Sequence, residues 1–499
     1  MTRARSLAAR ACTAVRRAAA RIPRAAYLCA LVGVMNALAW SVITPPFEVP
    51  DENAHYAYVA QLAETASLPR YRATYVGLSP AEDAILGDTK AFQIPGESTN
   101  PAPMTETEQR AIEATEAAHL SARGSGDALS ASANPPLYYL LEVVPYELSP
   151  SGTVLDRLAL MRALSAIFAG FTVLFVFLFL RELLPGTRWA WPVGALAVAL
   201  QPLFAFISGG VNNDALLYTF AAATFFTVAR MFRRGLDEWT GLAIGVVLGL
   251  GLLVKFTILG FAPAVALGLL CGIWRAGRVG RRASLRGAAL AVGVAAIPAL
   301  LYVKLLARTL PPSSVGPGAR SAVLGVPTGL RVEVERIWEL FLPTLPGMGN
   351  RFRVSEFWHE WFLGLIGRFG WLDTRFPYWV YLVAAPICAA LVLAALAALV
   401  RERGRVWHRA DELAVYVAMI AGLCIEIGVE SYETQISGGG IFEQPRYLLS
   451  GLCIYAAVVA LATRLPGRRW GLAVGALIVT LALAHDVFSQ LLVIARYYA

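Results

Sequence analysis

A succession of long apolar runs separated by short Arg-rich links restricts this sequence to a bundle of membrane helices. The runs fall at roughly 25–44, 158–183, 188–207, 214–232, 239–254, 256–274, 286–306, 377–400, 412–430, 446–463 and 471–494. About eleven spans follow, and with them an all-α polytopic membrane protein. Only 15% of the 499 residues are charged, where a soluble chain would carry about 25%. The net charge of +9 does not indicate nucleic acid, because no stripe of basic and aromatic residues forms a groove. Five of the six cysteines lie in apolar runs. No CxxC or clustered His/Cys spacing points to zinc.

The arginines give the orientation. Arg3, Arg5, Arg10, Arg16, Arg17, Arg21 and Arg24 precede the first span and hold the N-terminus in the cytoplasm. Arg230 to Arg234, Arg275 to Arg286, Arg401 to Arg409 and Arg464 to Arg469 then fall inside, while 208–213 and 431–445 contain no Lys or Arg. The predicted organisation is a cytoplasmic leader at 1–24, a membrane domain at 25–494 with large outer loops at 45–157 and 307–376, and an outer tail at 495–499. The sequence therefore predicts a multi-pass protein of the cell membrane with its candidate site outside. Ala37-Leu-Ala39 resembles a signal-peptidase site, but a span of about 20 residues favours a retained anchor.

Polar residues at the outer ends of these spans are the candidate functional groups. Pro45, Pro46 and Pro50 force the chain out of the first helix, and Asp51, Glu52 and His55 follow within about one turn. Asp51 is expected to cap the next helix, and a partly desolvated carboxylate here suits a general base. The turn Ser208 to Asp214 offers Asn212, Asn213 and Asp214 beside two glycines. Asn134 and Tyr138 stand where Pro135 and Pro136 open a short apolar segment. Lys255 sits between two apolar runs and needs an anion, either a lipid phosphate or a side chain such as Asp214. Glu443, Arg446 and Tyr447 follow a glycine triplet, and a guanidinium there can clamp a phosphate. Lys304 has a similar reading with more room to reach solvent. Glu426 and Glu430 lie one turn apart, able to bind a sugar or cation or to pair internally. His485-Asp486 reads as a buried polar pair.

Six motifs occur in order: Phe47-Glu-Val-Pro-Asp-Glu-Asn-Ala-His55, Asn134-Pro-Pro-Leu-Tyr-Tyr139, Val211-Asn-Asn-Asp-Ala-Leu216, Leu253-Val-Lys-Phe256, Gly367-Arg-Phe-Gly-Trp-Leu-Asp373 and Gln444-Pro-Arg-Tyr-Leu448. Together they resemble a bacterial family of polytopic membrane proteins similar to the GT-C glycosyltransferases, which include protein O-mannosyltransferases and aminoarabinose transferases. The resemblance implies a GT-C-like bundle and an inverting transferase. Its donor would be a polyprenyl-phosphate-linked sugar, and its acceptor a cell-envelope glycan, lipid or protein. Asp51 would be the catalytic base, Glu52 would orient the base or the substrate, and His55 would support it. Lys255 and Arg446 would meet the donor phosphate, and Asn213 and Asp214 would line the sugar pocket. Some such enzymes need a divalent cation, although no dense carboxylate cluster here demands one. The alternatives are a transporter or flippase for lipid-linked glycans and a scaffolding membrane subunit.

Overall fold

Helix α1, Arg24–Ile43, starts directly after Pro23 and stops before Pro45-Pro46, which cannot continue it. The structure, a computed structural model, describes residues 22–69, 78–89, 100–121, 130–309, 329–349, 357–436 and 443–498. The leader through residue 21, most of the low-complexity piece at 121–133, Lys90, residues 310–328 and 350–356 of the second large loop, and 438–442 of the glycine-triplet motif lie outside the described residues.

The long first loop is largely helical. It holds α2 (Glu52–Thr65), α3 (Pro80–Asp88), α4 (Glu106–Ala117) and α5 (Leu137–Glu147). Helices α3 and α4 each begin with a capping box, Ser79 with Glu82 and Thr105 with Glu108, which satisfies two orphan backbone donors at each start. The 30-residue α6, Val154–Leu183, returns into the bundle against α1. Next come α7 (Ala190–Ala199) and α8 (Pro202–Ser208), bent by 58° at a break where Pro202 restarts the helix and the Gln201 side chain caps Phe204 N–H.

The remaining elements are α9 (Asp214–Arg234), α10 (Glu238–Leu252), α11 (Ala262–Arg275) behind a 3₁₀ turn at Phe256–Phe261, and α12 (Gly277–Thr309). After them come α13 (Leu330–Phe341), α14 (Gly364–Gly367), α15 (Tyr378–Arg401), α16 (Arg403–Trp407), α17 (Ala410–Ile436), α18 (Leu452–Arg464) and α19 (Gly467–Tyr498). Two short antiparallel strands, β1 (Arg368–Phe369) and β2 (Thr374–Arg375), form the only sheet among the described residues.

Among the described residues nine helical segments are long and apolar enough to cross a membrane. The number is ten if the bent pair α7–α8 is counted as one broken span, and α10 is a shorter apolar helix of 15 residues. These account for all eleven runs in the sequence, and the chain is an all-α polytopic membrane protein. His485 and Asp486 do not pair with each other. His485 Nε2 donates to Ile366 O at 2.7 Å, while Asp486 accepts from Trp40 Nε1 at 3.0 Å, because neighbours on a helix diverge by about 100°.

Small residues allow the tightest helix contacts. Gly241, Gly245 and Gly249 recur every fourth residue on α10 and face Gly287, Ala291 and Pro298 of α12. A methyl group on Gly245 would stand 2.7 Å from Ala291 O. Where neighbouring chains are as apolar as lipid, such backbone approach supplies much of the association energy. Gly245→Leu is therefore expected to destabilise the protein by about 1–3 kcal/mol through overpacking, measured as a lowered unfolding temperature in detergent.

Candidate functional site

Arg162, near the start of α6, organises the exit from α1. Its guanidinium donates to Ser41 O at 3.0 Å and Thr44 O at 2.8 Å, carbonyls at the ending helix, and to Pro45 O at 2.9 Å in the loop beyond it. It also grips Glu52 through both carboxylate oxygens, at 2.8 and 2.6 Å. Glu52 is fully buried and accepts two further bonds, from Phe47 N–H and Val211 N–H, each at 2.9 Å. Glu52 therefore has no open acceptor position facing a substrate. It fastens the Pro45–Asp51 loop to α6 and to the 208–213 turn, so the orienting role expected of it is mechanical.

Fixed in this way, Asp51 adopts the left-handed backbone conformation, φ 63° and ψ 7°, which Asp tolerates better than bulkier residues. Its side chain does not cap α2, contrary to expectation. The strained backbone turns it towards Arg446 instead, whose Nη2 donates to Oδ2 at 2.5 Å. Arg446 also donates to Pro50 O at 3.1 Å and lies 3.5 Å from Asp214 Oδ2. Lys255 Nζ donates to Asp214 Oδ1 at 2.7 Å, and Tyr447 presents its ring to both cations, 5.0 Å from Lys255 and 5.4 Å from Arg446. Asn212 bonds Pro50 O and Asp214 N–H, and Asn213 bonds Val254 O. Asn213 Oδ1 is buried with no hydrogen-bond partner. The chain thus brings Asp51, Asp214, Lys255, Arg446 and Tyr447 into one cluster at the helix ends, with Asn212 and Asn213 beneath it. Both cations already face carboxylates and are not free phosphate clamps. Among these ionic groups Asp51 is the most open, with 29% of its side chain exposed against 14% for Lys255 and 5% for Arg446.

Burial pushes the Asp51 carboxyl up, but Arg446, His55 and Lys255 together hold it below its ordinary value. His55, one turn on, is pushed down to about 4, first by burial, so it is neutral at pH 7. Its Nδ1 shares a 2.8 Å hydrogen bond with the Tyr139 hydroxyl, and Tyr139 stacks on Tyr58 with ring centroids 3.6 Å apart. Tyr139 thus stands where Tyr138 was expected. The Tyr138 hydroxyl instead meets Ser165 Oγ at 2.8 Å beside the buried Glu142, about 100° around the helix. Asn134 is half-buried and contributes its carbonyl to the Tyr58 hydroxyl at 3.3 Å. Glu443 is buried elsewhere, bonded to Arg336 and to Ser431 Oγ. Lys304 is exposed, and Glu426 and Glu430 are half-buried on α17.

Arg162, Tyr139 and Glu48 are the residues that sequence reasoning did not select. Arg162 carried a signal, a charge within an apolar run that requires a partner. Glu48 is 3% exposed and accepts from the Tyr497 hydroxyl at 3.1 Å. Burial, and then the nearby Asp373, push it up to about 8. Among the described residues no group of three or more His, Cys, Asp or Glu side chains is placed to hold a metal ion.

A polytopic helical membrane protein with an ionic site at the ends of its spans is the class these features define. Within that class, the chain belongs to the family described as "Predicted membrane protein (DUF2142)", which matches residues 35–455 and so includes the whole cluster. No curated protein matches the chain. Among solved structures it is similar to ArnT from Cupriavidus metallidurans bound to undecaprenyl phosphate, with 12% identity and a TM-score of 0.42 over 87% of this chain and 59% of that one. It is also similar to the apo Archaeoglobus fulgidus oligosaccharyltransferase, with 13% identity and a TM-score of 0.45 over 95% and 56%. The same enzyme tethered to an acceptor peptide gives 14% identity and a TM-score of 0.38 over 89% and 54%. The chain spans less than three fifths of these solved proteins. Scores below 0.5 leave the functional reading to the residues themselves.

Two measurements check this account. Arg162→Leu leaves Glu52 buried and unpaired, and is expected to cost about 3–5 kcal/mol in unfolding experiments. Adding Glu52→Leu should recover part of that loss. Glu48 titrates near 8 in the folded protein against an ordinary value of 4.5. Between those values the folded state keeps a proton that the unfolded chain has lost, so stability falls as pH rises through the window. Glu48→Gln should flatten the dependence of unfolding temperature on pH between 5 and 8.

Proposed function

We propose that this protein is an inverting glycosyltransferase of the GT-C type. It moves a sugar from a polyprenyl-phosphate donor to an envelope acceptor on the outer face of the membrane. The observation that carries the reading is the partly exposed Asp51 carboxylate, aimed by a strained backbone and held ionised by Arg446 at the mouth of the helices. The ordered motifs around it, and the resemblance they carry, supply the donor class.

In this mechanism the acceptor hydroxyl attacks the anomeric carbon as the bond from that carbon to the phosphate oxygen breaks. The hydroxyl proton passes to Asp51, and the bonding pair leaves with the phosphate. A carboxylate held below its ordinary range is a weak base towards a free hydroxyl. Proton transfer therefore comes late, once C–O bond formation has made the hydroxyl acidic. Lys255, the more exposed cation, meets the growing charge on the departing phosphate, an interaction stronger in the transition state than in the ground state. Arg446 holds Asp51 in place and sets its charge. His55, one turn on, is fixed beside the base by its hydrogen bond to Tyr139 and the Tyr139–Tyr58 stack. One displacement without a covalent intermediate inverts the anomeric centre.

The test uses the purified protein in nanodiscs with a polyprenyl-phosphate hexose or pentose and a panel of envelope acceptors. Asp51→Asn is expected to bind donor normally and to lose about 100-fold or more in turnover. Lys255→Ala is expected to weaken donor binding as well as transfer. Near-normal turnover of Asp51→Asn would remove the base from this role. Lipid translocation in sealed liposomes without transfer to any acceptor would favour a flippase.

A further inference from the structure

A second site stands apart from the Asp51 cluster. Glu64 lies twelve residues beyond Glu52, roughly 18 Å along α2 at 1.5 Å per residue. There the ends of α2, α4 and α5 and the start of α6 surround a cavity of about 550 Å³. Its walls include Glu64, Glu116, His119, Tyr146, Glu147 and Arg157. Arg157 Nη1 donates to the Tyr146 hydroxyl at 2.7 Å, and that hydroxyl donates to Glu64 Oε1 at 2.9 Å. The Arg157 guanidinium covers the Tyr146 ring at 4.1 Å, which fixes its plane. Its Nε is buried, and the guanidinium also bonds the buried Tyr56 hydroxyl behind the cavity.

A cavity of this size is large enough for a small-molecule ligand. Its lining is polar, with carboxylates, hydroxyls, an imidazole and a guanidinium offering acceptors and donors side by side. That mixture matches a polyhydroxylated ligand, each of whose hydroxyls both donates and accepts. Three carboxylates against one guanidinium disfavour phosphorylated or uronic-acid units.

We propose that this cleft binds a neutral or amino-bearing saccharide chain, the distal part of an acceptor whose growing end lies at Asp51. The proposal rests on the transferase reading and narrows its acceptor to an oligomeric glycan. A single sugar cannot reach from the cleft to the base, whereas a chain of several units can.

The experiment measures binding of neutral oligosaccharides, from disaccharide to octasaccharide, to the full chain in nanodiscs, with and without Asp51→Asn. Octasaccharides are expected to bind more tightly than disaccharides, and Asp51→Asn to bind them as the wild type does. Glu116→Gln combined with Glu147→Gln, both partly or fully exposed positions, is expected to weaken long chains about tenfold. The same variant should raise KM for long acceptors, leaving kcat and the KM of disaccharide acceptors unchanged. Arg157→Lys serves as a second variant that keeps the charge and loses the planar fork. Length-independent binding, affinity unchanged in both variants, or displacement of the saccharide by a Lys-rich peptide would overturn the proposal. Transfer to disaccharides with no effect of cleft variants on long chains would sink the cleft and spare the transferase. Length-dependent, variant-sensitive binding with no transfer would do the reverse.

Discussion

The Arg162–Glu52 ion pair is the constraint on which the rest of the site depends. Neither residue need ever meet a substrate. Arg162 collects the loose carbonyls of α1, Glu52 collects the amides of Phe47 and Val211, and the two bind each other through two nitrogens. Burying two charges is expensive unless every donor and acceptor is used, and here the carboxylate receives four hydrogen bonds. The result is a rigid junction between the first loop, α6 and the 208–213 turn. Asp51 is adjacent to Glu52, so its strained conformation is imposed by that junction.

Two layers of charge follow from this arrangement. The lower layer, Arg162 with Glu52, is closed and structural. The upper layer, Asp51, Asp214, Lys255 and Arg446, is balanced in sign but open on one side, where Asp51 and then Lys255 are the most exposed members. Tyr447 lies against both upper cations, and the Tyr218 hydroxyl holds the Arg446 carbonyl at 3.0 Å. A ligand entering from the open side meets carboxylate and ammonium together. Such a pairing suits a reaction that moves a proton one way and negative charge the other.

The spans were legible because apolar runs of membrane length report themselves, and even the bent α7–α8 pair and the short α10 overlap the expected intervals. Much of the site was legible for a related reason. Asp51, Asp214, Lys255 and Arg446 are charges at span ends, and the topology put them at one end of the bundle. Side-chain direction was not legible. Tyr138 and Tyr139 are equivalent as a motif, and only the helix phase sends one to His55 and the other to Ser165. Glu443 was grouped with Arg446 by proximity in sequence, yet its partner, Arg336, lies 107 residues away. Arg162 and Glu52 are 110 positions apart, and no periodicity links them. The capping role given to Asp51 failed because capping needs an extended residue, and the junction with Arg162 twists this one to positive φ.

The pairing of Asp51 with Arg446 joins residues 395 positions apart. During synthesis the aspartate is made early and its partner only after most of the spans. Until then no guanidinium fixes the direction of that carboxylate. The upper layer is therefore assembled late, after the helices that surround it have been inserted. A chain interrupted before Arg446 would hold the spans that define a membrane bundle and still lack an aligned site.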